Sequence, residues 1–415
     1  MSSRLTILLP LKGRPLHTLR FFWDAERRRL PYKFLVADGE VHPAIAAVFE
    51  RARTVFPHLD VDYVRFPDDV GLPQFFAKMA AAARMVPTPY VMQADNDDFL
   101  VKSGLDHSIE WLSAHADFAS YGGGIGGFSL DRHGAALPTV AGAPDHVTFR
   151  YGPNYLPRDL SAPAAAERVR QGFNAHALYY HVFRADVLAN ILAELQALNF
   201  SDSEIHETFF CMRALSLGKS RLDGTVMSYF RQMGTSGAHR GGDWVSHLLR
   251  SRFTADFDAM AAAIASAVAR TDGGDAKTVA EDIRNLYADK LRNDLRAWYG
   301  APPRARSRYH PVSVVKHVLL SLRLGWLLDF YRRTRAPKSV DPAARDARYQ
   351  AERATLLAEL KRQGAADTYV AAFAREWADI EASFDEQAFL AFVRAQAPEL
   401  LATNGAARPP QGLAA

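Results

Sequence analysis

The run Asp95-Asn96-Asp97-Asp98 places three carboxylates within four residues, directly behind the apolar segment Tyr90-Val91-Met92-Gln93-Ala94. At an effective dielectric of about 20, two like charges roughly 5 Å apart cost about 3 kcal/mol. At the end of a buried strand such a cluster calls for a cation. A hard divalent ion, Mg2+ or Mn2+, takes one or two carboxylates and completes its shell with phosphate oxygens and water. The cluster therefore points to a metal that holds a diphosphate; the alternative is a solvated turn, which Asp and Asn favour on their own. A second acidic group, Asp202, Glu204 and Glu207, opens a helical stretch that continues through Phe209, Phe210, Met212, Leu215 and Leu217. Acids in a first helical turn commonly act as caps and dipole partners, a role that suits Ser201 or Asp202. Glu207 lies a full turn further in, on the face of Glu204, where a carboxylate can serve as a general base. The loop from Arg231 to His239 (RQMGTSGAH) offers one Arg and one His to a diphosphate or a metal, or simply connects two elements.

Short apolar runs position these groups. LTILLP (5–10), KFLVA (33–37), VDYVRF (61–66) and YVMQA (90–94) read as strands, separated by helix-like stretches over 16–28, 42–55 and 72–85. Strands alternating with helices of this length imply parallel βαβ units. Strands that are apolar without alternation fit a sheet covered on both faces. Ligands of such sheets bind outside the carboxyl ends of the strands. Lys12-Gly13-Arg14, Asp38-Gly39 and Asp95 to Asp98 all fall at such ends. Further on, helices are expected over 104–114, 163–170, 185–198 and from about 203, and strands over 146–150 and 177–183. The stretch 118–130 reads as a Gly-rich strand or hairpin. No helix-forming stretch follows its GGGIGG run, so it reads as a strand approached closely by backbone or ligand and not as a dinucleotide loop. Neither a GxxxxGK[ST] phosphate loop nor an HExxH zinc motif occurs.

A chain of 415 residues has room for two or three domains, and 48% hydrophobic with 23% charged residues is the composition of a globular protein with a real core. The single cysteine, Cys211, excludes an intrachain disulfide and fits a reducing compartment, the cytoplasm. Leu5 to Leu11 is too short for a secretory signal, and no stretch reaches the ~20 apolar residues of a transmembrane helix. Near Trp244 strand patterns give way to Ala-, Leu- and Arg-rich helices. Residues 1–245 are therefore expected to form the α/β domain, 246–403 a helical C-terminal domain, and 404–415 a disordered tail. Within 301–340 stand nine Lys/Arg and one acid, Asp329, a basic block suited to a polyanionic surface. Inside it, Val314, Val318, Leu322, Trp326 and Phe330 make an apolar stripe. The stripe fits a helix lying on an anionic membrane or a core helix with basic ends. Nucleic acid is not expected as a partner, because few aromatics are interleaved for stacking.

Taken together, residues 4–240 resemble the family 2 glycosyltransferases of the GT-A fold. The opening strand of that family, ending "IPtyNR", corresponds to Leu9-Pro10-Leu11-Lys12-Gly13-Arg14, and its nucleotide-contacting Asp to Asp38. Its "N-x-G" element corresponds to Asp69-Val70-Gly71, and its "ar-GeyivflDaDD" to Val86 through Asp98, the most specific match. The family's later "ED" pair, followed by an apolar residue and an Arg, corresponds to Glu207, Phe210 and Arg213, with His206 in place of the first acid. Ala165–Arg168 and Tyr180–Leu188 are similar to bacterial surface-polysaccharide members. The resemblance implies an α/β fold with a mostly parallel sheet and a metal-dependent, inverting sugar transfer from a nucleotide-sugar donor. The acceptor it implies is a saccharide, lipid-linked in such systems, at the inner face of the cytoplasmic membrane. It assigns Asp95 and Asp97 to a Mn2+ or Mg2+ ion in a DXD motif; His239, from the reading of its loop, is a further candidate ligand. It assigns Pro10, Lys12, Arg14, Asp38, Gly71 and Asp95 to the donor and Glu207 to catalysis; from the residues themselves, Arg231 is a further donor candidate and Glu204 and Asp202 further catalytic candidates. The rivals are a sugar-phosphate nucleotidyltransferase, for which Lys12-Gly13-Arg14 is too short a phosphate loop, and a non-catalytic nucleotide- or glycan-binding protein of the same fold.

Overall fold

In the computed structural model of this chain, the described residues are 3–39, 42–131, 146–150, 157–173, 175–232, 252–300, 342–362, 364–383 and 385–402. Four parallel strands, β1 (Leu5–Leu11), β2 (Lys33–Asp38), β3 (Asp60–Arg65) and β4 (Tyr90–Gln93), are ordered β3-β2-β1-β4. They are joined through α1 (Pro15–Arg27), α2 (Pro43–Glu50), α3 (Ala52–Val55) and α4 (Leu72–Arg84). Along β1, Leu5, Ile7 and Leu9 pack with Phe22 of α1 and Phe49 of α2, whereas Leu8 packs with Phe76 and Met79 of α4. Successive side chains point to opposite faces and both faces are covered, so the strand reads as an unbroken apolar run.

Beyond β4 the sheet continues through β9 (Val182–Arg184), β6 (Phe118–Asp131), β10 (Lys219–Gln232) and β5 (Phe99–Leu100). β7 (His146–Arg150) pairs with β6, and β8 (Arg158–Leu160) with β10. β9 is antiparallel to both β4 and β6, so β6 and its parallel neighbour β10 run in the direction of β4. The fold is α/β with a mostly parallel sheet followed by helices, the class expected from the sequence. Four more helices, α5 (Lys102–Ala114), α6 (Ala165–Gln171), α7 (Ala185–Leu198) and α8 (Ser203–Leu217), complete the α/β part.

Three local expectations are corrected. The helix over 42–55 is two helices, interrupted at Arg51 with φ −107°. The aromatic run 177–183 is not one strand: His176–Tyr180 forms a 3-10 turn, and only Val182–Arg184 pairs in the sheet. Strand propensity measures fit to a pleated surface, and here the tyrosines turn toward the site instead. Arg231, expected in a loop, is the penultimate residue of the 14-residue β10, whose register slips around Asp223-Gly224. That slip breaks the alternation by which a strand is recognised.

The helices after residue 252 are α9 (Phe253–Asp272), α10 (Ala276–Gly300), α11 (Pro342–Arg362), α12 (Asp367–Ser383), α13 (Glu386–Gln396) and α14 (Glu399–Ala402). Their apolar faces enter the cores of the sheet. Met260, Ile264 and Tyr287 join the α4 face, and Phe389 and Val393 join the α1 face, with Phe389 5.5 Å from Trp23. Tyr369, Phe373 and Trp377 of α12 cover Phe99 and Phe230. This accounts for the glycine run. A Cβ at Gly124 would stand 2.5 Å from the Tyr369 ring, and one at Gly126 2.7 Å from Phe373. No helix among the described residues is long and apolar enough to cross a membrane. The basic block 301–340, the expected boundary at 245 and the tail 404–415 lie outside the described residues.

Candidate active site

Because β1, β2, β4 and β10 run the same way, the residues that end them meet along one edge of the sheet. The turn after β4 carries Asp95, Asp97 and Asp98, each with a carboxylate oxygen within 4.8 Å of the others. Every residue of the turn is tied to another part of the fold, Asp95 and Asp98 to β10 and Asn96 and Asp97 to the start of α1. The Asp95 amide donates to the Tyr229 hydroxyl at 2.9 Å, and the Tyr180 hydroxyl donates to Asp95 Oδ2 at 3.1 Å. Asn96 Nδ2 donates to Thr18 Oγ1 at 2.8 Å and to the Gly13 carbonyl at 3.3 Å, fastening the turn to the loop before α1. Asp97 forms an ion pair with Arg14. Asp98 Oδ1 accepts the Gln232 amide at 2.6 Å. Burial, then the neighbouring charge of Asp97, raises the pKa of both Asp95 and Asp98; Arg231 works against the shift in each.

The donor set is all carboxylate oxygen, the hard ligand type that Mg2+ and Mn2+ select. Asp95 accepts from Tyr180, Asp97 pairs with Arg14 and Asp98 accepts a backbone amide, so all three already share oxygens with the protein, and the three together are the set that could hold an ion. Arg14 lies across the same carboxylate in a left-handed conformation, φ 58°, which costs an L-residue roughly 1–2 kcal/mol. Gly13 before it has φ 72°. The two successive left-handed residues turn the chain out of β1 and bring the guanidinium over Asp97. Of the remaining expected ligands, His239 lies outside the described residues.

A second group lies beside the turn. Asp38, the last residue of β2, is buried and accepts a hydrogen bond of 2.6 Å from the Tyr63 hydroxyl. Gly39 follows it; a Cβ there would stand 2.2 Å from Asp69 Oδ2. Asp69 is wholly buried with Lys78 of α4, 2.5 Å apart, while Lys12 reaches it at 3.5 Å. Lys78 also donates to the Leu11 carbonyl at 3.3 Å. A small cleft opens here, lined by Leu11, Gly13, Pro15, Thr18, Asp38, His42 and Ile45. Pro10 is inside β1, opposite Ala37, and Gly71 is the extended N-cap of α4.

The third group is the first turn of α8. Asp202 is its N-cap, accepting from the amides of Glu204 and Ile205, so its carboxylate is spent on the helix. Glu204 pairs with Lys290 of α10 at 3.4 Å. Glu207 has its pKa pushed up to about 7, first by burial and then by the charges of Glu204 and Asp95, with Arg231 opposing. His206 is buried against Phe76, ring centroids 5.0 Å apart, and burial lowers its pKa to about 4. At neutral pH it is an uncharged aromatic packing group where the resemblance has an acid. Arg213 makes a two-pronged pair with Glu194 of α7, 2.7 and 2.6 Å, and so braces α8 against α7. Arg231 joins the groups: its guanidinium lies 5.2 Å from the Tyr180 ring and its charge acts on Asp95, Asp98 and Glu207 together. Tyr180 in turn stacks on Tyr229 at 4.7 Å.

The structure thus gathers Lys12, Arg14, Asp38, Asp95, Asp97, Glu207 and Arg231 along one edge. Tyr63, Lys78, Tyr180, Tyr229 and Gln232 belong to the same edge and were not anticipated as site residues, while Asp69 was expected only as the first residue of the N-x-G element. Lys78 had one visible signal, a single charge inside the apolar helical run FFAKMAAAA.

No family model and no curated protein matches this chain. Its structure is similar to TarS of S. aureus. The TarS 1–349 fragment gives a TM-score of 0.43 at 11% identity, over 88% of this chain and 89% of that one. The same fragment in complex with UDP gives 0.43 at 12% identity, over 88% and 89%. In complex with UDP-GlcNAc it gives 0.35 at 9% identity, over 62% and 70%. Values this low transfer neither a ligand nor a reaction from TarS to this chain.

Proposed function

We propose that this protein is a metal-dependent, inverting glycosyltransferase of the GT-A type, moving a sugar from a nucleotide-sugar donor to a saccharide acceptor in surface-glycan assembly. The observation that carries the reading is the meeting, on one sheet edge, of three carboxylates at the end of β4 with a half-buried carboxylate, Glu207, whose pKa is raised to about 7. One group suits a diphosphate held through a cation; the other suits proton abstraction. Asp95 and Asp97 hold Mn2+ or Mg2+, and when bound such an ion supplies positive charge to the departing diphosphate. Arg14 and Lys12 stand at the same end and take phosphate oxygens. Asp38, fixed by Tyr63, receives the base of the nucleotide in the cleft beside α1. Glu207 takes the proton of the acceptor hydroxyl as that oxygen attacks the anomeric carbon from the side opposite the diphosphate. The bond from that carbon to the diphosphate breaks, and the configuration inverts. Arg231 sits between the acidic turn and Glu207 and offsets the negative charge of both. The basic block 301–340 serves the acceptor side, at an anionic membrane surface carrying a lipid-linked saccharide.

The test is structural. Crystals soaked with Mn2+ and a panel of nucleoside diphosphates should show one nucleotide with its base beside Asp38 and its diphosphate beside Asp95 and Asp97. Binding of the whole panel elsewhere, or of Mn2+ away from the turn, contradicts the proposal.

A further inference from the structure

Helix α1 buries a charge in its apolar face. Arg20 stands among Leu19, Phe22 and Trp23 and has no exposed surface. A buried guanidinium is costly unless its hydrogens are bonded and its charge is met. The hydrogen bonds account for part of this only. Arg20 Nη2 donates to the backbone carbonyl of Asp97 and, at 2.9 Å, to Gln232 Oε1. Among the described residues, Arg20 Nε and Nη1 have no hydrogen-bond partner. The flat of the guanidinium lies 4.9 Å from the Phe99 ring centroid, a second weak compensation. What remains to hold a cation there is charge. Asp97 acts on it most strongly, then Asp98 and Asp24. Burial pulls its pKa down to about 10, which still leaves it charged at neutral pH.

The contacts also close a ring. Arg20 binds Asp97 and Gln232, and the Gln232 amide binds Asp98. We propose that Arg20 is the resident counter-ion of the acidic turn, a fixed internal cation that balances the carboxylates from the core side and holds the turn formed before any divalent ion arrives. It acts through Asp97 and Gln232 and is a positioning residue, not a catalytic one. The inference stands on the geometry of the turn and needs neither donor nor reaction, so its failure and that of the transferase reading are distinguishable.

Thermal unfolding in EDTA at neutral pH tests it on the full chain. Arg20→Met should lower Tm by roughly 3–6 °C, the scale of an uncompensated buried charge in a chain of this length. Adding Asp97→Asn to Arg20→Met should recover at least half of that loss, although Asp97→Asn alone removes an ion pair and stabilises nothing. Arg20→Lys, which keeps the charge, should stay closer to wild type than Arg20→Met. With EDTA replaced by Mn2+, the ion should raise the Tm of Arg20→Met by more than it raises the Tm of wild type, because it then replaces a missing cation. Additive effects in the double variant, an Arg20→Lys protein as destabilised as Arg20→Met, or equal and non-zero Mn2+ shifts would each overturn the proposal, whereas no Mn2+ shift in either protein would count against the metal reading alone. Where Arg20→Met does not fold, a folded Arg20→Met/Asp97→Asn protein supports it, and failure of both that protein and Arg20→Lys overturns it.

Discussion

A carboxylate that must take a proton from a hydroxyl works best with a pKa near the pH of the reaction, and burial gives Glu207 a value of about 7. Only its ionised form is a base, so transfer should fall about tenfold per pH unit below about 7 and level off above it. Glu207→Gln should slow transfer by roughly 10²- to 10⁴-fold, abolish that pH limb and leave Mn2+ binding in place. A pH profile of wild type lacking the limb would remove Glu207 from the role of base. The same shift carries a stability cost. Its folded pKa lies above the ordinary 4.5, so the folded state holds the proton more tightly. The stability this contributes is full below about 4.5 and is lost as pH rises through about 7. At this scale the sequence was partly legible. Asp38, Asp95, Asp97 and Glu207 could be picked out because acids at strand ends and beyond a helix cap are unusual. Tyr180, Tyr229 and Arg20 could not, because each acts on a residue 77 or more positions away, a distance over which local pattern says nothing.

Of the four parallel strands of the first half, β1, β2 and β4 lead directly into residues of the site, which is why the alternation of strands and helices located it. The second half hid its elements. β10 slips register at Asp223-Gly224, and the tyrosine run before β9 coils into a 3-10 turn, so Arg231 and Tyr180 were read without their true supports. The helix that carries Glu207 depends on its cap. Asp202 holds the amides of Glu204 and Ile205. Asp202→Ala should cost about 1 kcal/mol of stability, and Asp202→Ser or Asn should restore most of it. Because Glu207 sits one turn beyond the cap, transfer should fall with Asp202→Ala even at temperatures where the protein stays folded. Full activity in folded Asp202→Ala protein would show that the cap does not position the base. A stronger effect is expected in α4. Lys78→Met leaves Asp69 buried without its close partner, a loss of about 3–5 kcal/mol, and thermal unfolding should show it as a large drop in Tm. A drop comparable to that of a surface lysine substitution would refute the buried pair.

Over the whole molecule, the C-terminal helices close the cores of the α/β sheet. Phe99 and Phe230 lie beneath Phe373 and Trp377, and Trp23 meets Phe389. A protein ending at residue 245 would expose these surfaces and should aggregate, whereas the full chain stays dispersed; a monodisperse 1–245 fragment in size-exclusion chromatography would contradict this packing. The sequence marked this region as helical from composition but gave no sign of where its apolar faces dock, because amphipathic periodicity names a buried side and not its partner. The glycine run of β6 held the clue, in the close approach that the α12 aromatics require. All of this scaffolding serves one edge, and the claim about that edge can be put to one measurement: Mn2+-dependent release of nucleoside diphosphate from a panel of nucleotide sugars, by wild type and by Asp97→Asn. The account predicts that wild type cleaves one donor of the panel only with Mn2+ present and that Asp97→Asn loses that metal-dependent rate. An unchanged rate in Asp97→Asn, or no donor cleaved by wild type with Mn2+ present, would contradict it.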